Sequence, residues 1–205
     1  MKIVVLGSTK GGVGKSTIAQ ALAVEAAKEE RVFLADLDPQ QSVARWWDRR
    51  GRPGNPMLAD EKTSAPRALD LIAKRGTELD WLIIDTPGSN LEIIRGALNR
   101  ADVILVVAQP SSKDIEAQGA LEGLIENTGK GERALYVVNR GTKADKLTKD
   151  AVEFLADRSA ETPTLICNRI DHARADIVGK TAAETNKDAA KEIAALWAAV
   201  KRIAK

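Results

Sequence analysis

Six short apolar runs recur along the chain with longer helical stretches between them, and this alternation limits the fold more than any other feature. The runs are Ile3-Val4-Val5-Leu6, Val32-Phe33-Leu34-Ala35, Trp81-Leu82-Ile83-Ile84, Val103-Ile104-Leu105-Val106-Val107, Leu135-Tyr136-Val137-Val138 and Thr164-Leu165-Ile166. Strands that do not alternate apolar with polar are those of a sheet covered by helices on both faces. Helices are expected near 16–29, 66–75, 90–99, 113–127, 145–157 and 184–203. The order implies an α/β fold, a doubly wound, mostly parallel sheet with helices on both faces. In such sheets ligands bind at the carboxyl ends of the strands, so the residues just after each run carry the functional interest.

The chain has 205 residues, enough for an ordinary core without disulfides or metals, and residues 1–205 are taken as a single domain. Its 31 basic and 29 acidic side chains leave a net charge of +2, so any nucleic-acid contact must come from a local patch. A single cysteine, Cys167, excludes a disulfide framework and any cluster held by several thiolates of one chain, and a reducing cytoplasm suits it. No apolar run approaches the roughly 20 residues of a membrane span. The residues between Lys2 and Gly7 are too few for a leader's apolar region of about 7–15, so Met1 is expected to be the mature start. The stretch Arg49 to Pro56, rich in Gly and Pro, is expected to be a surface loop.

The first apolar run leads into Gly7-Ser8-Thr9-Lys10-Gly11-Gly12-Val13-Gly14-Lys15-Ser16-Thr17 and then a helix. Glycines at this density let the backbone fold into a cradle of N–H groups, and the following helix adds its positive end, which together make a phosphate site. Lys15 is placed to reach the outer phosphates and Ser16 to ligate Mg²⁺. The strict G-x-x-x-x-G-K-[ST] pattern has Gly where this chain has Thr9, so the loop is a variant.

The box from Lys10 to Thr17 resembles the deviant Walker A of the ParA/MinD family of ATPases, with its additional lysine at the start. Two further boxes carry the resemblance. Ala35-Asp36-Leu37-Asp38-Pro39-Gln40-Gln41-Ser42 is similar to the family's second acidic box, and Leu82-Ile83-Ile84-Asp85-Thr86-Pro87-Gly88 to its Walker B strand and switch. The resemblance implies ATP and Mg²⁺ as cofactors. It places Lys10, Gly11, Gly12, Val13, Gly14, Lys15, Ser16 and Thr17 on the nucleotide, Lys10 reaching the partner's nucleotide across a homodimer that forms with ATP. Asp38 would orient the attacking water, so Lys10, Lys15 and Asp38 are the expected catalytic residues. Ser16, Asp36 and Asp85 would serve the metal. Asn139 resembles the residue whose amide pairs with the adenine edge. Asn139-Arg140-Gly141-Thr142 lacks the lysine and aspartate of a guanine-specific box, which favours ATP over GTP.

Small members of the ParA branch bind DNA non-specifically as ATP-bound dimers, are stimulated by a ParB-type or adaptor protein, and position cargo over the nucleoid. The resemblance extends to the C-terminal stretch around Arg169 to Ala175 and to Gln109-Pro110-Ser111 with Asp114. Candidate DNA-phosphate contacts are Arg140, Lys143, Lys146 and Lys149, together with Arg169, Arg174 and Lys180; a few suffice for non-specific affinity. No helix-turn-helix is expected ahead of the first strand, where only Met1 and Lys2 stand. His172 is expected at the surface. The alternative is a MinD-like ATPase gripping membrane with its last helix, where Ile193, Leu196, Trp197, Val200 and Ile203 recur opposite Lys191, Lys201 and Arg202. The same stripe suits packing on the sheet, and Trp46-Trp47 likewise suggest packing, so membrane is the less expected partner. An electron-transfer enzyme of the same scaffold would need more cysteines.

Overall fold

The computed structural model describes residues 1–59 and 79–205. The helix expected near 66–75 lies outside them. Among the described residues seven strands form one sheet in the order β3-β2-β4-β1-β5-β6-β7, and every pairing is parallel. They are β1 (Lys2–Gly7), β2 (Val32–Asp36), β3 (Met57–Leu58), β4 (Trp81–Asp85), β5 (Val103–Ala108), β6 (Ala134–Gly141) and β7 (Thr164–Cys167). The helices are α1 (Lys15–Ala26), α2 (Ser42–Arg49), α3 (Leu91–Leu98), α4 (Ser112–Glu116), α5 (Gly119–Thr128), α6 (Lys146–Ala156), α7 (Ile170–Ile177), α8 (Ala182–Thr185) and α9 (Lys187–Ile203).

The strand residues divide between two cores as the period of two requires. Val4, Leu6, Val32, Leu34, Ile83, Leu105 and Val137 face α1, α2 and α9, while Val5, Phe33, Ile84, Ile104, Val106 and Tyr136 face α3, α5 and α6. Both faces are dry, which is why the apolar runs do not alternate. Helix α1 is buried along most of its length and small on its contact side, with Ala19, Ala21, Ala23 and Ala26 letting α9 close over it. On α9, Ile193, Leu196, Trp197 and Val200 are buried in the same core, and the Trp197 ring meets Trp81 edge to face at 4.6 Å. The apolar stripe of the last helix therefore packs on the sheet. Trp46 is fully buried as well, and its indole N–H donates to the Lys180 carbonyl at 3.2 Å.

The described residues depart from the expected layout in several places, among them β3, which lies in none of the six apolar runs. The stretch near 113–127 is two helices, because Gln118, fully buried, donates its side-chain amide to the Asp114 carbonyl at 2.9 Å while its own N–H turns to Ile115. The last helical stretch is divided at Asn186, whose side chain accepts from the N–H groups of Asp188 and Ala189 and caps α9. Helices α2 and α7 arise where only packing residues or family resemblance were read, and α2 takes in Arg49 from the expected loop.

Candidate nucleotide-binding site

The phosphate loop leaves β1 between its neighbours β4 and β5, where the chain has strands on either hand, the usual place for a crevice in an open α/β sheet. Gly14 enters α1 at φ 100, and a Cβ there would lie 2.1 Å from the Asn139 amide nitrogen, so both backbone and space demand glycine. No side chain caps α1, which leaves its first N–H groups facing the cleft. Lys15 is buried, its ammonium 3.4 Å from the Lys10 carbonyl. Burial holds its pKa below the ordinary value, against the pull of Asp85 and Asp38.

Parallel pairing lays Asp36 beside Asp85 at the ends of β2 and β4. Ser16 donates its hydroxyl to Asp85 Oδ2 at 2.6 Å. Asp85 is fully buried and its other oxygen, Oδ1, has no hydrogen-bond partner among the described residues. Burial pushes its pKa up to about 7, with the Ser16 hydrogen bond opposing and Asp36 adding to the rise. A buried carboxylate with an idle oxygen beside a hydroxyl under a phosphate loop is a donor set that suits a hard divalent cation. Asp36 is differently used. Its Oδ2 accepts from the N–H groups of Val43 and Ala44, at 2.9 and 3.0 Å, and its Oδ1 from Asp38 N–H at 3.1 Å. It fixes the start of α2 and the turn that carries Asp38, while burial raises its own pKa. Asp38 is half-buried and lines the cleft with Lys15, Ser16 and Thr17.

The cleft has two lobes. One, of about 430 Å³, is lined by Gly11, Gly12, Gly14, Lys15, Ser16, Thr17 and Asp38. The other, of about 720 Å³, is lined by Gly14, Thr17, Asn139, Asn168, Ile170 and His172 among others. Val13 is buried beneath the loop, its carbonyl accepting from the Asn139 amide at 2.6 Å. That bond commits one of the amide protons of Asn139 to holding the loop. His172 is half-buried in the second lobe with Nε2 unpartnered, contrary to the surface position expected for it, and burial lowers its pKa. Lys10 stands outside the cradle, half-exposed, with its ammonium 2.8 Å from Asp114.

The candidate DNA contacts separate into two groups. Lys143, Lys146, Lys149 and Arg174 are exposed. Arg169 is not free to meet a phosphate: both its terminal nitrogens pair with Glu192, at 2.6 and 2.7 Å, and its side chain is 15% exposed. Glu192, approaching from α9, was not legible as its partner.

A phosphate loop on β1, carboxylates at the ends of the adjacent strands β4 and β2 and an all-parallel sheet define a P-loop nucleotide-binding protein. The model of the CobQ/CobB/MinD/ParA nucleotide binding domain matches residues 4–182, and the chain belongs to that family, whose ParA and MinD members are ATPases. It is 33% identical over 115 residues to a maintenance of carboxysome distribution protein A from Gloeobacter kilaueensis, covering 56% of this chain and 52% of that protein. Protein ParA of Rhizobium radiobacter is 30% identical over 115 residues, covering 56% and 51%. The matched stretch thus spans about half the length of these curated relatives. Among solved structures, the Cyanothece McdA(D38A)–ATP complex superposes with a TM-score of 0.77 at 19% identity, covering 99% of this chain and 96% of that one.

Proposed function

We propose that this chain is a ParA-like ATPase that dimerises around ATP, binds DNA without sequence preference and positions a cargo, with hydrolysis stimulated by a partner protein. The observation that carries the reading is Lys10: a half-exposed ammonium at the head of a phosphate loop that already has its own lysine, Lys15, inside the cradle. A cation there, paired with Asp114 of its own chain, has no evident use for its own nucleotide, and on this reading it would serve a second copy. In the dimer it would neutralise charge developing on the transferred phosphoryl group, as an arginine finger does. Lys15 and the N-terminus of α1 would bind the phosphates. Ser16 and Asp85 would hold Mg²⁺, directly or through water, and the ion would neutralise phosphate charge. Asp36 would keep the Asp38 turn in register, and Asp38 would orient the attacking water. The related proteins named for ParA and for carboxysome distribution support this reading over a metabolic one. The buried stripe of α9 counts against a membrane grip by that helix, and no helix among the described residues is long and apolar enough to cross a membrane. Lys143, Lys146, Lys149 and Arg174 remain the candidate DNA surface, in keeping with a nucleoid-associated protein.

Sedimentation velocity with ATP and with ADP, on the parent and on Lys10→Ala, tests the reading. ATP should shift the parent to a dimer and leave the variant monomeric while it still binds nucleotide. A parent that stays monomeric with ATP and Mg²⁺ would overturn it.

A further inference from the structure

Strand β6 ends irregularly. Asn139 pairs with Ile166 and Gly141 with Cys167 of β7, so Arg140 is the extra residue of a bulge. It sits at φ 59, a left-handed conformation that side chains with a Cβ rarely adopt. Both neighbours hold it there. The Asn139 amide is tied to the Val13 carbonyl beneath the phosphate loop. On the other side, a Cβ at Gly141 would lie 2.6 Å from Leu165 and 2.7 Å from Thr148, so the chain is packed too tightly to relax. Strain of this kind persists where the surroundings over-determine it, and it collects at functional sites.

The result is a long cation turned out of the sheet at the cleft. Arg140 is exposed and lines both lobes, the one containing Lys15 and Asp38 and the one containing Asn168 and His172. Arg49 and Arg169, which line one lobe each, are paired with Asp176 and Glu192, and Arg45 lines the first lobe alone, so Arg140 is the arginine common to both lobes. No hydrogen bond or ion pair of the Arg140 guanidinium occurs among the described residues. We propose that Arg140 is a nucleotide-binding residue, contacting the phosphate chain where the two lobes meet, and not a DNA contact. The inference rests on the reading that this cleft takes ATP. A guanidinium donates charge-assisted hydrogen bonds to phosphate oxygens in fixed planar geometry, and such bonds are about twice as strong as neutral ones.

The left-handed backbone supplies an unusual test. Arg140→Gly removes the cation and relieves the conformation, so the variant should melt no lower than the parent. Titration with fluorescent ATP and ADP analogues should show affinity for both weakened about tenfold, the loss of one charge-assisted bond. Arg140→Lys, which keeps the charge, should retain most of the affinity. A loss of affinity without a loss of stability is not what a purely structural residue gives. If the parent binds the analogues and Arg140→Gly binds them equally well, the assignment is wrong, all the more plainly if duplex DNA binding falls instead. A fall in melting temperature and affinity together, with no rescue by lysine, also overturns it. A parent that binds neither analogue defeats the ATP reading itself, and this inference with it.

Discussion

The ammonium of Lys10 lies 2.8 Å from the carboxylate of Asp114, which ties the first basic residue of the phosphate loop to α4. The two ends differ in environment, since the lysine side chain is 47% exposed and the aspartate 5%. A buried carboxylate that loses its cation is costly, whereas an exposed lysine that loses its anion is not. Lys10→Ala should therefore destabilise the nucleotide-free protein by about 1–3 kcal/mol. Asp114→Asn added to that variant should recover most of the loss. Urea unfolding of the two single variants and the double variant checks this; additive effects would mean the pair is not coupled.

Asp85 gives a pH dependence of definite sign. Its pKa is raised to about 7 in the folded protein from an ordinary 3.8, so folding takes up a proton between those values and the stability it contributes falls as pH rises through the window. Above pH 7 the ionised, buried carboxylate carries a penalty of up to ~4 kcal/mol. Asp85→Asn should thus raise the melting temperature of the nucleotide-free protein at pH 8, with the gain shrinking towards zero near pH 4. The same variant should lose the Mg²⁺ dependence of ATP binding. A lower melting temperature at pH 8 would contradict the assigned burial cost.

Asp38 is held on a turn built by Asp36, its Oδ1 accepts from the Gln40 N–H at 2.9 Å, and the residue lines the lobe that contains Lys15 and Ser16. In the role proposed for it, a general base orienting the attacking water, such a group contributes typically 10²–10⁴-fold. Asp38→Ala should bind ATP with nearly parental affinity and hydrolyse it at least about a hundredfold more slowly. Single-turnover assays with radiolabelled ATP measure it, and parental turnover would remove Asp38 from the chemistry.

Trp197 divides the structural role of α9 from a membrane role. The ring is 5% exposed and packs edge to face on Trp81. Trp197→Ala should cost about 3–5 kcal/mol by urea titration. A variant of unchanged stability that had lost binding to anionic vesicles would favour the MinD-like alternative.

Six of the seven strands were legible because each is apolar on both faces, a pattern that survives without knowledge of neighbours, and the phosphate loop because its chemistry is local in sequence; β3, two residues long with Met57 exposed, offers no such run. Asp36 and Asp85 were legible as strand-end carboxylates, but not their adjacency, which depends on β2 pairing with β4. Helix α7 escaped notice because Ala175 is its one buried residue and it carries little apolar period. Arg169 read as a surface cation because its partner Glu192 comes from a helix near the far end of the chain. The break at Gln118 follows from a buried side-chain hydrogen bond that no periodicity reveals.

The central claim, a nucleotide-switched DNA-binding dimer, is tested most directly by fluorescence anisotropy of unrelated duplexes at low salt with ATP, with ADP and without nucleotide. Dimerisation would double the basic groups facing one duplex, and affinity grows steeply with the number of phosphates neutralised. ATP alone should give binding, equal across sequences, with a salt slope that flattens on charge reversal at Lys143, Lys146 and Lys149. Binding that is the same with ADP, or no DNA binding from a protein that sediments with anionic vesicles in ATP, would contradict the account.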